Sequence, residues 1–424
     1  MGNRPKPQGA FVGADGTTFR VWAPNTDRLE LLVEGRPPVA LSRDADGLFE
    51  AHVPGVRAGD RYVYRFPDGR QRPDPASRLQ EESVHAQSTV VDPAFDWTDR
   101  DWKGVPLEDL ILYELHIGTF TREGTLDAIH RHLPELKKLG VTAIELLPVA
   151  AFDGPRGWGY DGVQPYAVHA PYGGPAALRR FVDACHRHGL GVYMDVVYNH
   201  MGPAGNYLRD FGPYFTDRHS TPWGEAINYD AEGSRHVRAW VVENALMWIR
   251  DFHCDGLRLD AVHGIYDDSP THLLKELNDE VQALAKGLGR EVHVIAESDL
   301  NEPKLIERVE NGGYGLSSQW TDDFHHSLHT LLTGERSGYY ADYGGLKDLA
   351  RVFREAFVYA GQYSEFRKRH HGRSARGLPG RRFTVAAQNH DQVGNRATGD
   401  RLTASLPPEA LRFAAAATVL SPFV

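Results

Sequence analysis

From Leu110 onward, short apolar runs alternate with segments of helical length, and this alternation leaves few possible folds. The runs are almost continuously apolar, as expected for strands that are buried on both faces of a sheet. They cover residues 111–116, 141–148, 191–197, 256–260, 293–297, 318–322 and 383–388. Repeated strand–helix units favour parallel pairing, so seven such strands indicate an α/β fold of the (β/α)8 TIM-barrel type rather than an open sheet.

The first hundred residues have a different pattern. Residues 18–22, 29–33 and 61–66 read as short, half-buried strands, and Gly, Pro and Asp separate them. Strands at this spacing predict a small all-β sandwich. We therefore divide the chain into a sandwich at residues 1–100 and a barrel at residues 101–424. Within the barrel, a helix is predicted at residues 126–139, with Gly140 as its stop.

The end of the chain provides one helix-like stretch at residues 408–420 and no further strand after it. A complete barrel would continue with an eighth strand. The sequence therefore predicts a barrel that lacks its last strand, and we expect this chain to be a truncated form. An unpaired edge between strands seven and one is the expected consequence.

Composition excludes several classes of protein. The chain has 424 residues with 47 Lys and Arg against 57 Asp and Glu, a net charge of -10, so no excess of positive charge points to a nucleic-acid partner. It contains no apolar run long enough for a membrane span, and residues 1–7 lack the apolar stretch of a secretory signal. Cys185 and Cys254 are expected to be reduced thiols in the core. We predict a cytoplasmic protein.

Polar side chains cluster where the predicted strands end. In a barrel, the carboxyl ends of the strands carry the active site. The residues at these positions are His116, Asn199, His200, Asp260, His263, Glu297, Asp322, Asp323, His390 and Asp391. Several acids at one mouth are costly unless function requires them, so this end is the candidate active site.

The acids at the predicted strand ends suggest a reaction. Residues two apart in a strand share a face, so Arg258 and Asp260 point the same way, although a purely structural ion pair would also explain them. Two carboxyl groups flanking a sugar bond are the minimum equipment for glycoside cleavage, one ionised and the other protonated. Several acids end the predicted strands, among them Asp260, Glu297 and Asp391, so this end of the barrel could provide such a pair.

Four segments, at residues 195–200, 256–263, 296–299 and 388–392, resemble in their order the signature regions of the α-amylase family of glycoside hydrolases. The resemblance covers roughly residues 110–424, and residues 19–24 resemble that family's carbohydrate-associated sandwich. It implies that Asp260 is the nucleophile, Glu297 the general acid/base and Asp391 the third acid.

The same resemblance implies contacts with the sugar at the cleaved position. Arg258 would orient the nucleophile, and His200 and His390 would contact the sugar. Tyr160, within residues 158–162, would stack on the sugar, although a core role for this tyrosine stays open. We also place His263, which follows the nucleophile, among the substrate-binding residues.

Further segments, at residues 152–162, 320–326, 361–363 and 388–396, resemble family members that cut the α-1,4 bond next to the trehalose end of malto-oligosyltrehalose. The resemblance implies hydrolysis with retained configuration, and it requires the two reacting carboxyls to be roughly 5–5.5 Å apart. This chemistry needs no cofactor, and because the sequence has no loop dense in oxygen ligands we predict no required metal. The substrate-binding residues that it adds are Asp322, Asp323, Phe324, His325, His326, Gln392 and Asn395.

Two alternatives stay open. A glycogen branching enzyme would share the sandwich, the barrel and the acids, but would transfer the sugar to another glucan. A non-catalytic carbohydrate-binding protein could also retain this barrel.

Overall fold

A computed structural model describes residues 4–424. The prediction about a secretory signal at residues 1–7 therefore lies partly outside the described residues. The first strands form two antiparallel sheets, ordered β1-β2-β6-β5 and β4-β3-β7-β8, with β9 also paired to β7. These strands are β1 Gly9–Val12, β2 Gly16–Trp22, β3 Glu30–Val33, β4 Val39–Ala40, β5 Ser42–Arg43, β6 Leu48–Pro54, β7 Arg61–Arg65, β8 Gln71–Arg72 and β9 Ser88–Thr89.

The later strands belong to one large sheet and three short hairpins. They are β10 Leu112–Leu115, β11 Ala143–Leu146, β12 Ala150–Ala151, β13 Gln164–Val168, β14 Gly191–Val196, β15 Phe215–Thr221, β16 Gly224–Ile227, β17 Gly256–Leu259, β18 His293–Ala296, β19 Ser318–Trp320, β20 Tyr363–Ser364, β21 Arg369–His370 and β22 Phe383–Thr384. The large sheet has the order β10-β11-β14-β17-β18-β19-β22, and every neighbouring pair is parallel. The predicted TIM-barrel sheet is thus confirmed, with all seven predicted strands present.

Helices alternate with these strands. They are α1 Ile117–Phe120, α2 Leu126–Ile129, α3 Leu133–Leu139, α4 Gly174–Arg187, α5 Leu208–Phe211, α6 Ser234–Asp251, α7 Leu273–Leu288, α8 Asp322–Thr333, α9 Leu346–Glu355, α10 His390–Gly394, α11 Leu402–Ser405 and α12 Pro408–Val419. None of those in the described residues has the length and apolar character that crossing a bilayer requires.

The helix predicted at residues 126–139 is interrupted. A 3-10 turn at His130–His132 separates α2 from α3. Gly140 ends α3 in the left-handed region at φ 101°, and its N–H donates to the carbonyls of Leu136 and Lys137. Glycine adopts this conformation without a side-chain clash, which explains the predicted stop.

The sheet stays open between its two edge strands. Among residues 4–424, no strand joins β22 to β10. Val424 forms hydrogen bonds at the β22 edge: it donates to the Phe383 carbonyl at 2.9 Å and accepts from the Val385 N–H at 2.8 Å. A cavity of about 570 Å³ lies between the edges, lined by residues of β10 and of the segment from Thr384 to Val393.

Candidate active site

The Arg258 guanidinium occupies the centre of the barrel mouth. Its side chain is fully buried on β17. Nη1 donates to both carboxylate oxygens of Asp195 at 3.0 Å and to Asp260 Oδ1 at 2.7 Å. Nη2 lies 3.7 Å from Glu297 Oε2. One cation therefore contacts three acids from three neighbouring strands, and the face shared by Arg258 and Asp260 is as predicted.

The two candidate reacting acids follow adjacent strands at the same height. Asp260 comes directly after β17, and its N–H donates to the Val196 carbonyl of β14 at 3.0 Å. Glu297 comes directly after β18, and its N–H donates to the Leu259 carbonyl at 3.0 Å. Parallel strands that end together thus bring the carboxyls to the same guanidinium.

Ala261 links the two acids through its backbone. Its N–H donates to Glu297 Oε2 at 2.5 Å, and its φ of 36° is unusual for a residue with a side chain. Strain of this kind is found where the surrounding structure requires it, and here it directs the N–H after Asp260 towards Glu297.

Glu297 has the protonation behaviour of an acid catalyst. Burial raises its pKa from 4.5 to about 8, and the negative charges of Asp260, Asp322 and Asp391 add to this effect against the opposing influence of Arg258. A carboxyl with a pKa in this range carries its proton at neutral pH, as a general acid must.

Tyr160 lies between an acid and an imidazole. Its hydroxyl donates to Asp195 Oδ2 at 2.6 Å and lies 2.7 Å from His390 Nε2. Its ring is nearly parallel to the His390 ring, with centroids 5.1 Å apart. The hydroxyl is therefore fixed on both sides.

Glu114 on β10 holds the other side of His390. Its two carboxylate oxygens accept from the backbone N–H and from Nδ1 of His390, at 2.9 and 2.8 Å. Hydrogen bonding and the charge of Glu114 raise the pKa of His390 to about 9, although burial acts in the opposite direction.

His200 and His263 lie together beneath an exposed tryptophan. The Trp223 ring stacks on His200 with centroids 5.7 Å apart and tilts over His263 at 5.6 Å. His200 Nε2 donates to the Tyr160 carbonyl at 3.0 Å. The Nδ1 atoms of both histidines are buried without a protein partner, so each retains hydrogen-bonding capacity.

The segment around Asp391 forms the short helix α10 after β22. The Asp391 side chain is about half exposed and lies 3.7 Å from His390 Nε2. Gln392 is buried, and its side-chain oxygen accepts from the Asn389 N–H at 2.9 Å, which caps the helix. Asn395 is exposed at the end of α10.

The predicted binding residues at the start of α8 do not all face the mouth. Asp322 belongs to the acidic group around Glu297, and burial with nearby Asp391 raises its pKa to about 7. Phe324 has no exposed surface and packs against Phe353 and Phe423. His325 bonds the Ala387 carbonyl and the Tyr340 hydroxyl inside the protein.

Asp323 is saturated by donors of the protein. Its oxygens accept from the Tyr343 hydroxyl, the Asn301 side chain and the N–H groups of Val358 and Tyr359, at 2.5 to 3.1 Å. His326 Nδ1 lies 2.5 Å from the Asp322 carbonyl. The structure therefore brings Asp322 to the mouth but keeps Asp323, Phe324 and His325 within the packing behind it.

Four residues at the mouth are absent from the predicted site set. Asp195 and Glu114 are charged residues within apolar strands, a signal that the sequence already contained. Trp158 contacts the edge of His390 with centroids 5.4 Å apart and is exposed, as is Trp223. No local pattern marks Trp223, because the β15–β16 hairpin delivers it from outside the barrel strands.

One cluster has the donor types of a metal site. Side-chain atoms of His219, Asp230 and Asp268 lie within 4.8 Å of one another. The Arg218 guanidinium is 3.2 Å from Asp230 Oδ1, and His219 Nε2 and the Asp268 N–H both bond Oδ2. An arginine cation already neutralises this carboxylate and opposes a second cation.

Several known proteins have sequences similar to that of this chain. The family profile described as alpha amylase, catalytic domain, matches residues 64–221. A malto-oligosyltrehalose trehalohydrolase from Saccharolobus solfataricus is 48% identical over 416 residues, which cover 98% of this chain and 73% of the relative. A 1,4-alpha-glucan branching enzyme from Bacillus caldolyticus is more distant, at 31% identity over 73% of this chain and 51% of the relative.

A solved structure has the same fold. A crystal structure of a Salmonella typhimurium protein, provisionally described as an alpha amylase, superposes with a TM-score of 0.93 at 41% identity. The match covers 98% of this chain and 71% of that one.

Proposed function

Because the chain belongs to the malto-oligosyltrehalose trehalohydrolase family of α-amylase-type glycoside hydrolases, we propose that its barrel hydrolyses the α-1,4 bond next to the trehalose end of malto-oligosyltrehalose. One observation carries the assignment of the reacting groups. Asp260 and Glu297 lie at the ends of adjacent parallel strands, and both approach the same buried guanidinium, that of Arg258. Branching enzymes share such a barrel, but the branching relative is distant.

The chemistry follows from the two carboxyls. Asp260, oriented by the 2.7 Å bond from Arg258, attacks the anomeric carbon while Glu297 gives its proton to the departing trehalose oxygen. This forms a glycosyl–enzyme ester. Glu297, now ionised, takes a proton from water, which attacks the same carbon and releases the shortened glucan with its configuration retained.

We assign the remaining contacts by exposure and spare hydrogen-bonding capacity. Asp391 is accessible, and His200 and His263 each have an unpartnered nitrogen. We propose that these groups, together with Tyr160, Asp322, His390 and Arg258, surround the sugar at the cleaved bond. Asn395, which is exposed, remains a candidate for a further substrate contact, as do the buried side chains of Gln392 and His326. The saturated or buried side chains of Asp323, Phe324 and His325 support the site from behind.

Two wider expectations are also part of this proposal. We place the boundary between sandwich and barrel near residue 100, after the last sandwich strand β9 and before β10. We also propose a cytoplasmic location and an α-glucan as the partner. The buried thiols of Cys185 and Cys254 support the location, because they are unpaired.

The direct test is product analysis. Incubation with malto-oligosyltrehalose should release free trehalose, whereas plain maltodextrin of equal length should be cut far more slowly. Asp260→Asn and Glu297→Gln should each lower kcat by about a thousandfold or more, because each removes one half of the double displacement.

A matched control uses the opposite end of the same strand. Glu291→Gln is the control for Glu297→Gln. Glu291 lies just before β18, at the end of the strand opposite to Glu297, and its side chain is exposed, so the same substitution there should leave turnover intact. Formation of α-1,6 branches without trehalose release would identify a branching enzyme. Glucan binding without any turnover would identify a binding protein, and either result would reject the proposal.

A further inference from the structure

Glu114, on the first barrel strand, has no assigned contact with the sugar, yet it bonds a residue that makes one. It pairs in register with Glu145 of β11, which is buried, whereas the Glu114 side chain is 22% exposed. Both oxygens of Glu114 are used on His390, one by the backbone N–H and one by Nδ1. This two-point contact fixes both the position and the rotation of the imidazole.

The hydrogen-bond geometry fixes which atoms of Tyr160 and His390 carry protons. The Tyr160 hydroxyl has one proton. Burial raises the pKa of Asp195 to about 6, so at neutral pH its carboxylate is ionised and, as it also accepts twice from Arg258, can only accept. The Tyr160 oxygen must therefore accept from His390 Nε2–H at 2.7 Å. Because Glu114 also accepts from Nδ1–H, both ring nitrogens carry protons, and the imidazole is a cation.

We propose that Glu114 is a positioning residue that keeps His390 as an imidazolium and, through Tyr160 and Asp195, fixes the guanidinium that orients the nucleophile. This inference rests on the proposed function. The contacts form a continuous path from β10 to the mouth: Glu114, His390, Tyr160, Asp195, Arg258 and Asp260. Negative and positive charges alternate along this path, apart from the neutral tyrosine. Loss of the Glu114 charge therefore destabilises the positive charge of His390, its neighbour in the path.

Other charged and titratable groups also act on His390. They are Asp391 on its own helix, Arg258 on β17, Asp195 on β14, Glu145 on β11, His116 after β10 and the Tyr160 hydroxyl. Glu114 makes the largest favourable contribution to the raised pKa of His390, ahead of Asp391, whereas Arg258 opposes it. Without the Glu114 charge, burial and Arg258 would favour the neutral ring.

The test compares Glu114→Gln with Glu114→Asp and Glu145→Gln. Glutamine keeps the size of Glu114 but removes its charge, and its NH2 group can only donate to Nδ1. We expect kcat/KM of Glu114→Gln to stay within about threefold of the wild-type value near pH 5.5. At pH 8 it should be more than about tenfold below the wild-type value at the same pH, because His390 in the variant loses its proton at a lower pH. Aspartate should restore much of the activity at pH 8.

Glu145→Gln is the matched control. Burial and the charges of Glu114 and Asp195 raise the pKa of Glu145 to about 8, so glutamine replaces an acid that is largely neutral at pH 7 and half ionised at pH 8. Between pH 5.5 and pH 8, the ratio of its kcat/KM to that of wild type should therefore change far less than the ratio for Glu114→Gln. A uniform loss of activity at every pH in Glu114→Gln would indicate a merely structural role and overturn the inference. An unchanged profile would overturn it as well.

A second measurement does not depend on turnover. In a 13C-histidine NMR titration, with the His390 signal identified by its absence in His390→Asn, the wild-type ring should remain protonated at pH 8, and the ring in Glu114→Gln should titrate below pH 7. A His390 that is neutral at pH 7 in the wild type would reject the inference. Failure to release trehalose with a normal His390 titration would instead reject the proposed function alone.

Discussion

At the scale of single residues, the division of labour between two acids follows from how each meets one guanidinium. Asp260 receives a direct bond from Arg258 Nη1 at 2.7 Å. Glu297 lies 3.7 Å from Nη2 and faces the charges of three aspartates. The same cation therefore orients one carboxylate closely while the other keeps its proton. Environment, rather than residue type, separates nucleophile from acid.

Glu297 should determine the basic side of the pH profile. Since its pKa is about 8, we expect kcat/KM to fall as the pH rises through that value and the acid loses its proton. The profile is measured with malto-oligosyltrehalose between pH 5 and pH 10. A rate that stays level to pH 10 would contradict the assignment of Glu297 as the acid.

The same residue should make stability depend on pH. The unfolded chain releases this proton near 4.5 and the folded chain near 8, so the unfolded state binds fewer protons between these values and stability falls as the pH rises through that window. Glu297→Gln removes this contribution. The Tm of the variant minus that of wild type should increase from pH 5 to pH 8. A constant difference would show that Glu297 is ionised in the folded protein.

At the scale of elements, helix α8 begins with two aspartates that have opposite surroundings. Asp322 belongs to the acidic group at the barrel mouth. Asp323 faces inward and receives four donors from three other segments, around Asn301, Tyr343 and Val358. One helix start therefore both adds to the site and holds the loops behind it.

This contrast predicts opposite phenotypes. Asp323→Asn replaces an acceptor oxygen with a donor amide and leaves buried N–H groups without partners, so it should lower the free energy of unfolding by about 3 kcal/mol. Asp322→Asn should lower kcat/KM with a much smaller change in Tm. Thermal unfolding and steady-state kinetics of both variants test the pair. A stable Asp323→Asn with weakened substrate binding would reverse our assignment.

At the scale of the whole molecule, the sandwich and the barrel share one core. A single cluster of buried apolar side chains extends from Ala10 in β1 to Phe383 in β22. Trp22 of the sandwich stacks on His236 of α6 with centroids 4.7 Å apart. Arg78 also forms a largely buried ion pair with Asp251, at 2.7 Å. The proposed boundary near residue 100 thus separates two architectures with continuous packing between them.

Continuous packing predicts one cooperative unfolding transition. We expect calorimetry to show a single peak, and Trp22→Ala to shift all of it downward, by about 3–5 kcal/mol in stability, since the cavity opens at the shared surface. Leu346→Ala, at a side chain that is 67% exposed, is the control and should leave Tm nearly unchanged. Two peaks, of which Trp22→Ala moves only one, would show that the sandwich and the barrel unfold independently.

The sequence by itself determined the strands, their parallel pairing and the acids at their ends. Apolar runs buried on both faces are visible without any long-range information, and strand ends such as Asp260 and Glu297 follow directly from them. Period two also put Arg258 beside Asp260 correctly. These features are local, so a linear pattern is enough to predict them.

Only the tertiary structure decided which polar residues reach the mouth. Asp323 and His325 are polar residues just after the same predicted strand as Asp322, so the sequence does not distinguish them from it. Their hydrogen-bond partners, however, lie 15 to 62 residues away and hold them inside the protein. Trp223 and Glu114 reach the site from a hairpin and from a strand far from the nucleophile in sequence. Whether a side chain binds protein or faces the cleft depends on such distant contacts, because a buried polar group must find its partner wherever the fold provides one.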